Sequence, residues 1–347
     1  MVVCLRVAGV NTAMAQKSFE FNLLTAISLY VVLFAGPQAL SQSTVLQTES
    51  AHVIDTALNA NSADRHTHLD SLRVSVDLVL VPVTVTDDLN RPQTNLAREN
   101  FAVYEGDRPQ QIRYFSAEDS PISVGLLLDV SASMQDKIDT ERTAVEQFFK
   151  NANPEDDYFV ITFNNQPRVL SDVTRSTSGI ETELGLVQPS GSTALLDAVY
   201  LGVSKLRQAQ YPRRALVIIS DGADNASRYK LNEIKSIVAE SDVMVYAIGI
   251  FGTGPFKTFE EAMGKRWLST MTDVTGGHTT TVKDLSRLPE ECALLSRELR
   301  TQYMLGYHPS EAVSDGKWHK IKIRVTNPTD AEPFRSFYRK GYFASRP

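Results

Sequence analysis

Residues 125–134 read GLLLDVSASM. A glycine and three leucines run directly into Asp129, and Ser131 and Ser133 follow at alternate positions. An uninterrupted apolar run of this length is typical of a strand that is covered on both faces of a sheet. The acid and the two hydroxyls therefore belong to the tip of the predicted strand rather than to its core.

The segment around this strand alternates strand and helix patterns. This alternation predicts an α/β domain over residues 120–300, with a doubly wound, mainly parallel sheet and helices on both faces. Buried strands are predicted at ISVGLLLD (122–129), DYFVITFN (157–164), RALVIIS (214–220) and VMVYAIGI (243–250), with shorter strands at 167–172 and 277–282. Helices are predicted at 139–152, 193–209, 230–241 and 283–300, and a glycine-rich loop at 251–261.

Strand patterns without helices flank this domain on both sides. Before it, RVSVDLVLVPVTVTDD (73–88) alternates apolar and polar residues, and two further strands are predicted at 100–106 and 110–116, separated by a turn at GDRP (106–109). After it, strands are predicted at 302–309, 318–327 and 335–344. Two separate modules of about three strands would each be marginal. Residues 73–119 and 301–347 are therefore predicted to form one β-sandwich-like module into which the α/β domain is inserted.

The N-terminus carries a targeting pattern. Residues 23–35 (LLTAISLYVVLFA) are apolar or small, but the run is shorter than the ~20 residues that span a bilayer. It is followed by a Gly-Pro break and small residues, so 1–41 is predicted to be a signal peptide, with Met14 as an alternative start. A buried core helix is the alternative. Residues 42–72 are predicted to be a polar linker, and the mature chain to be exported to the periplasm, cell surface or medium without a stable transmembrane segment.

Composition excludes some function classes. The 347-residue chain has a net charge of −6 and no long run of Lys and Arg, so nucleic acid is not an expected partner. Its two cysteines are Cys4 and Cys292, and Cys4 would be removed with the signal peptide. No internal disulfide is expected in the mature protein.

Three polar clusters fall at predicted strand ends or helix starts. The first holds Asp129, Ser131 and Ser133, the second is the GST sequence that ends in Thr193, and the third is the SDG sequence that contains Asp221. Ligands of open α/β sheets lie beyond the carboxyl ends of the strands. Hydroxyl and carboxylate oxygens suit Mg²⁺, with Mn²⁺ or Ca²⁺ as alternatives, whereas zinc prefers nitrogen and sulfur.

These residues resemble the von Willebrand factor A domain, whose metal-ion-dependent adhesion site has the pattern Asp-x-Ser-x-Ser, then Thr, then Asp. The resemblance covers about residues 120–300. It implies that Ser131, Ser133 and Thr193 coordinate the metal through their hydroxyls, while Asp129 and Asp221 act as ligands or through water and hydrogen bonds. VPVTVTDD and FAVYEGDRPQQI before the domain, and LGYHP and RKGYFA after it, resemble exported VWFA-related proteins of acidobacteria, for which the resemblance defines no activity.

The resemblance implies a binding protein rather than an enzyme: an Asp or Glu of a protein partner completes the coordination of the metal. Helix capping by the serines is an alternative that explains one serine but not the whole set. A phosphatase-like enzyme with Asp129 as nucleophile is another, but Ser131 stands where such an enzyme needs a second acid. A structural envelope-assembly component with an incidental metal site is the third. Asp197 and Asp224 are not assigned as ligands: Asp197 is expected to be solvated, and Asp224 to support the site or shape a turn.

Overall fold

A computed structural model describes residues 78–222, 224–251, 259–310, 315–328 and 333–344. The predicted signal peptide and linker lie outside the described residues. Within the described ranges, no helix has both the length and the apolar character needed to cross a membrane.

The elements follow one another in three groups. The first strands are β1 (Val79–Thr86), β2 (Phe101–Glu105), β3 (Arg108–Gln110) and β4 (Ile112–Ser116). The alternating segment holds β5 (Ser123–Asp129), α1 (Ile138–Lys150), β6 (Asp157–Phe163), β7 (Pro167–Thr174), α2 (Thr177–Gly185), α3 (Leu195–Leu206), β8 (Arg214–Ser220), α4 (Leu231–Ala239), β9 (Met244–Ile250), α5 (Phe259–Thr275), β10 (Thr279–Val282) and α6 (Leu288–Arg300). The last strands are β11 (Tyr303–Tyr307), β12 (Trp318–Val325), β13 (Arg335–Tyr338) and β14 (Gly341–Phe343).

The alternating segment forms the predicted mainly parallel sheet. Its six strands lie in the order β10-β9-β8-β5-β6-β7. All neighbours are parallel except β6 and β7, which pair antiparallel at one edge. Because β5 and β8 are adjacent and parallel, Asp129 and Ser220 at their carboxyl ends come to the same edge of the sheet.

Helices cover both faces of this sheet. Leu126 and Leu128 pack on one side in a cluster with α1 and α6, including Phe148. Leu127 packs on the opposite side with α3, α4 and α5, including Val199. Successive side chains of a strand alternate between faces, so both sets of leucines are buried. The core therefore accounts for the apolar run of β5 and leaves only its tip for chemistry.

The flanking strands form two four-stranded sheets, in the orders β13-β1-β11-β4 and β14-β12-β2-β3. Each sheet combines strands from before and after the α/β segment, and all their pairings are antiparallel. The two sheets share one core, to which Val83, Val103, Leu305 and Ile323 contribute. The chain leaves this sandwich through β4 and re-enters through the adjacent β11, and this pairing brings the two ends of the inserted segment together.

Several elements differ from the sequence-based expectations. The expected turn at 106–109 is shorter, because β3 already begins at Arg108. The strand expected over 335–344 is interrupted at 339–340, which separates β13 from β14. Two helices, α2 and α5, were not expected. The buried residues of α2 are only Ile180 and Leu184, so its apolar pattern is too short to stand out.

The second unexpected helix, α5, begins inside the segment expected to be a glycine-rich loop. Residues 252–258 of that segment lie outside the described ranges, and Phe259 starts the helix. Polar residues dominate α5, and Leu268 and Met271 are its fully buried apolar side chains among the described ones. A stripe this narrow gives a weak helical period in the sequence.

Candidate metal site

The tip of β5 fixes the carboxylate of Asp129. One oxygen, Oδ1, accepts a hydrogen bond from the backbone N–H of Ser131 at 3.0 Å. The other, Oδ2, accepts one from the Ser220 hydroxyl at 2.6 Å. Ser220 ends the neighbouring strand β8, so the sheet itself holds both partners. Asp129 is fully buried, and its carboxylate is therefore fixed in orientation.

The two serines of the motif lie side by side. A short 3₁₀ turn over Ala132–Met134 follows the strand, and it brings the Ser131 and Ser133 hydroxyl oxygens to 3.0 Å from each other. Ser131 is buried whereas Ser133 is exposed. The side chain of Ser131 makes no capping hydrogen bond to the 3₁₀ turn, and the N-cap of α1 is Lys137. Helix capping therefore does not account for the serine pair.

The loop before α3 is bonded to the loop after β5. The N–H of Ala132 donates to the carbonyl of Gly191 at 3.0 Å, and the N–H of Ser190 donates to the carbonyl of Val130 at 2.9 Å. Gly191 has a φ of +83°, a left-handed backbone that glycine adopts without strain. These bonds tie the loop that contains Thr193, which is 3% exposed, to the loop that contains the two serines.

The loop after β8 places Asp221 beside a lysine. The Lys137 ammonium lies 3.5 Å from Asp221 Oδ2. The other oxygen, Oδ1, is buried and has no hydrogen-bond partner among the described residues. The following Gly222 donates its N–H to the Ser220 hydroxyl at 2.9 Å. Ser220 therefore links the Asp129 carboxylate to the Asp221 loop.

A second group of residues supports these loops. Asn225 accepts the Thr193 N–H through its side-chain oxygen at 2.9 Å. Asp224 Oδ2 accepts the N–H of Leu196 at 2.9 Å at the start of α3. Asp197 Oδ1 accepts the N–H groups of Arg228 and Tyr229.

The expectation that Asp197 is solvated is wrong. This side chain is 5% exposed and ties α3 to the segment after β8. Asp224 also bonds into α3, as described above, and both acids therefore act as loop supports. Sequence analysis did not identify Asn225. It placed Ser220 in the SDG cluster at the end of an apolar run but assigned it no role in the site.

Burial raises the pKa values of two acidic side chains in this part of the domain. Burial, and then the neighbouring Asp221, raise the pKa of Asp129 to about 6. Glu141 of α1 is fully buried, and burial raises the pKa of its carboxyl well above its ordinary value. Carboxylates that are buried near one another with few cations favour the binding of a positive ion. The sequence did not single out Glu141, since a glutamate in the first turn of a helix is usual.

The donor set fits a hard cation only if the hydroxyls take part. Among the described residues, no group of three or more His, Cys, Asp or Glu side chains is arranged to hold a metal ion. Asp129 and Asp221 therefore need the hydroxyls of Ser131, Ser133 and Thr193 to complete a coordination shell. Hydroxyl and carboxylate oxygens are ligands that Mg²⁺ accepts. The arrangement is compatible with a metal site formed by these five residues, and that assignment stays a prediction.

Comparison with known families identifies the domain. Residues 124–223 match the family model of the von Willebrand factor type A domain, and all five predicted site residues lie within this range. The chain therefore contains a von Willebrand factor type A domain. The narrower resemblance to acidobacterial proteins stays a prediction. Comparison with curated proteins gives no match.

Solved structures with similar folds were also found. A von Willebrand factor type A protein from Catenulispora acidiphila is 11% identical, with 78% of this chain and 74% of that chain covered and a TM-score of 0.45. The conserved hypothetical protein BatB from Bacteroides thetaiotaomicron is 15% identical, with 51% and 98% covered and a TM-score of 0.41. The PilB minor pilin from Streptococcus sanguinis is 14% identical, with 56% and 64% covered and a TM-score of 0.42.

Proposed function

We propose that this chain is an exported protein-binding module that engages an acidic residue of a partner through a divalent metal. The observation that carries the proposal is the tip of β5. There Asp129 is held by Ser220 and two motif hydroxyls lie 3.0 Å apart, while after the neighbouring strand β8 Asp221 keeps a buried oxygen without a hydrogen-bond partner among the described residues. Domains of the von Willebrand factor type A class often bind a divalent metal and a protein, which supports the same function. Export rests on the apolar run at 23–35.

The donor chemistry explains why a metal here would bind a carboxylate. Ser131, Ser133 and Thr193 would hold Mg²⁺ through neutral hydroxyls, with Asp129 and Asp221 supporting or ligating it. The bound ion would supply a positive centre that attracts an external carboxylate. The hydrogen bonds from Ser131 and Ser220 hold the Asp129 carboxylate in one orientation. Groups that hydrogen-bond to metal ligands commonly orient them in this way.

The alternatives have less support. A nucleophilic Asp129 would have to reach a substrate, yet its side chain is fully buried and both oxygens accept hydrogen bonds. We therefore propose binding without catalysis. A structural envelope component with an incidental metal site remains the second candidate, and loss of partner binding on metal removal distinguishes it from an adhesion module.

Calorimetric titration of the chelator-treated full chain with MgCl₂ and MnCl₂ tests the metal site. We expect one binding event per chain, which Asp129→Ala abolishes because the carboxylate that organises the tip is lost. Asp172→Ala is the matched control, since this acid is exposed on β7 and pairs with Lys205. Binding that survives in Asp129→Ala would contradict the assignment.

Ser133→Ala tests the hydroxyl ligands. Ser133 is exposed, so its loss should leave the fold intact while it weakens Mg²⁺ binding by about tenfold or more, as expected for the loss of a ligand or its close partner. Circular dichroism and calorimetry of the same sample check both statements. Unchanged affinity in a folded Ser133→Ala variant would remove this serine from the site.

A carboxylate probe tests the second half of the proposal. When N-acetyl-glutamate α-amide is added to the Mn²⁺-loaded chain, the water-proton relaxation rate should fall because the side-chain carboxylate displaces water from the ion. N-acetyl-glutamine α-amide, which has no carboxylate, is the neutral control. An equal effect of both probes would contradict recognition of an acidic side chain through the metal.

A further inference from the structure

The outer face of strand β12 carries a row of positively charged side chains. Ile321 and Ile323 of this strand are buried in the core of the sandwich. Successive side chains of a strand point to opposite faces of the sheet, so the exposed Lys320, Lys322 and Arg324 share the outer face. Alternate residues of a strand lie about 7 Å apart, and the three cations therefore form a straight row with even spacing.

The register of the sheet gives this row no acidic neighbours. The cross-strand partners of the three cations are, in order, Gly341 of β14 and Tyr104 and Ala102 of β2. Among the described residues, no acid forms an ion pair with any of the three cations. The guanidinium of Arg324 lies 5.2 Å from the centre of the Tyr104 ring, and this contact keeps it on the outer face.

Protection of a sheet edge does not explain the row. Lysines on edge strands prevent pairing with other chains, but β12 lies between β14 and β2. Charges on a sheet are stabilised by opposite charges across the strands, and here that compensation is missing. In a chain of net charge −6, a face with three uncompensated cations fits an anionic partner.

An exposed aromatic ring lies at the start of the row. Trp318 pairs with Phe343 across the strands, and their ring centres are 5.0 Å apart. The indole also lies against Gly341, since a Cβ at that position would overlap the ring. Trp318 is nevertheless 39% exposed, so the other side of its ring faces solvent. A ring that lies along the sheet offers a flat surface for stacking, whereas insertion into a lipid surface needs a side chain that projects.

The spacing of the charges distinguishes between linear anions. The cations of the row are about 7 Å apart, whereas the phosphates of one DNA strand follow one another at about 3.4 Å along the duplex axis. A polymer with one carboxylate per sugar ring has more widely spaced charges. The C–H groups of its rings also pack on the face of an aromatic ring, which carries partial negative charge. A polysaccharide of uronic acid units therefore matches both features of this surface.

We propose that the outer face of β12 is a docking surface for a linear acidic polysaccharide built of uronic acid units. Lys320, Lys322 and Arg324 pair with its carboxylates, and one of its sugar rings stacks on Trp318. Tyr104 holds the Arg324 guanidinium in place for this contact. The surface belongs to the sandwich and uses no residue of the candidate metal site, so this inference does not depend on the function proposed above.

Calorimetric titration of the full chain with α-1,4-linked octagalacturonate tests this surface. EDTA is present, so that no metal contributes to carboxylate binding, and the ionic strength is low. We expect binding of octagalacturonate and none of maltooctaose, which has no carboxylates. The double variant Lys320→Gln/Lys322→Gln should bind octagalacturonate about 3- to 30-fold more weakly, as expected for the loss of two exposed ion pairs. Lys150→Gln/Lys235→Gln is the matched control, since it removes two exposed lysines from α1 and α4, and it should keep the wild-type affinity.

Tryptophan fluorescence tests the position of the sugar. The chain has two tryptophans, Trp318 and Trp267 of α5. Octagalacturonate should shift the emission of the wild type, and Trp318→Phe should remove that shift because the remaining indole lies on a different element. A shift that persists in Trp318→Phe would contradict stacking on Trp318.

The remaining outcomes each overturn the proposal. They are absence of octagalacturonate binding to the folded wild type, equal binding of maltooctaose, and equal losses in the two double variants. Tighter binding of a thymidine octanucleotide or of phosphatidylglycerol vesicles, weakened in Lys320→Gln/Lys322→Gln, would assign this face to nucleic acid or to a membrane instead. The proposed metal-dependent function is measured with Mg²⁺ or Mn²⁺ on other residues, and it stands or fails separately.

Discussion

Among the described residues, Lys137 forms an ion pair with Asp221 of the candidate site, so its positive charge partly balances the acid that a metal would neutralise. Its ammonium lies 3.5 Å from Asp221 Oδ2, and its side chain is 27% exposed. A bound cation and this ammonium repel each other, so we expect Lys137→Met to raise Mg²⁺ affinity by about 3- to 10-fold, roughly 1 kcal/mol. Isothermal titration at low ionic strength measures this change.

Lys150→Met is the control for net charge alone. Lys150 lies at the exposed opposite end of α1, so its removal changes the charge of the chain equally but acts from farther away. Equal changes of affinity in the two variants would mean that Lys137 has no specific effect. A decrease of affinity in Lys137→Met would contradict competition between this lysine and the ion.

The sequence predicts the proposed ligands better than the residues that support them. Asp129, Ser131 and Ser133 stand in one contiguous motif after a buried strand, and the structure places their polar atoms in contact through Ser131. Asn225 could not be predicted in this way. Its role depends on a hydrogen bond from the Thr193 N–H, which lies in a distant loop of the chain, and an isolated polar residue in a turn does not reveal such a contact.

Glu298 of helix α6 predicts a pH dependence of stability. Burial raises the pKa of Glu298 to about 8, from an ordinary value of 4.5. Above about pH 4.5 the unfolded chain releases a proton that the folded protein keeps. The contribution of Glu298 to the free energy of unfolding is therefore fully present below pH 4.5 and is lost as the pH rises to about 8.

Titration of His278 limits the pH range in which the effect of Glu298 can be measured alone. Its Nδ1 lies 3.5 Å from Glu298 Oε1, and burial lowers its pKa to about 4. The contribution of His278 to stability changes with pH between about pH 4 and its ordinary pKa of 6.5. Between pH 6.5 and 8 the contribution of Glu298 therefore changes without that of His278. Urea unfolding over that window should show wild-type stability falling with pH and a weaker pH dependence in Glu298→Gln.

Glu290→Gln is the control for this measurement, because Glu290 lies exposed on the same helix. It should retain the wild-type slope. Parallel slopes of wild type and Glu298→Gln would show that the buried carboxyl does not govern the pH dependence.

How far an element could be predicted depended on how much of it is buried. β5, β6, β8 and β9 are buried along nearly their whole length, and their apolar runs were recognised at nearly their final limits. The strand β3 is only three residues long, and its pairing with β2 comes from a short turn rather than from an apolar pattern of its own.

The sandwich and the α/β segment contact each other around Gly276. Gly276, between α5 and β10, has a φ of +89°, and a Cβ at this position would overlap the backbone of Tyr338 and Arg339. Arg339 of the sandwich also donates hydrogen bonds to Asp242 of the α/β segment and to the carbonyl of Leu80 in β1. We expect Gly276→Ala to lower the free energy of unfolding by about 2–4 kcal/mol, from backbone strain together with separation of the two parts.

Gly106→Ala isolates the effect of strain. Gly106 also has a positive φ, of +58°, but a Cβ there meets nothing within 4 Å. This variant should lose only about 1 kcal/mol, the cost of a left-handed backbone for alanine. Urea unfolding of both variants measures the difference, and equal losses would mean that the contact at Gly276 does not hold the two parts together.

The division of strands between the two sheets is a property that the sequence did not predict. Alternating residues indicate that β1 or β12 has one buried face, but the same alternation fits any partner strand. The order of strand and helix patterns in the sequence predicts an inserted α/β segment. In the structure β4 and β11, the strands on either side of that segment, pair with each other.

The central claim is that a divalent ion binds where β5 and β8 end. Crystals of the full chain grown with MnCl₂ and measured at the manganese absorption edge test it most directly. The account predicts an anomalous peak coordinated by the Ser131 and Ser133 hydroxyls, with Thr193 on the ion and Asp129 and Asp221 bound to it directly or through water. A fully occupied peak elsewhere, or no peak at this edge of the sheet in a structure with these loops in place, would contradict it.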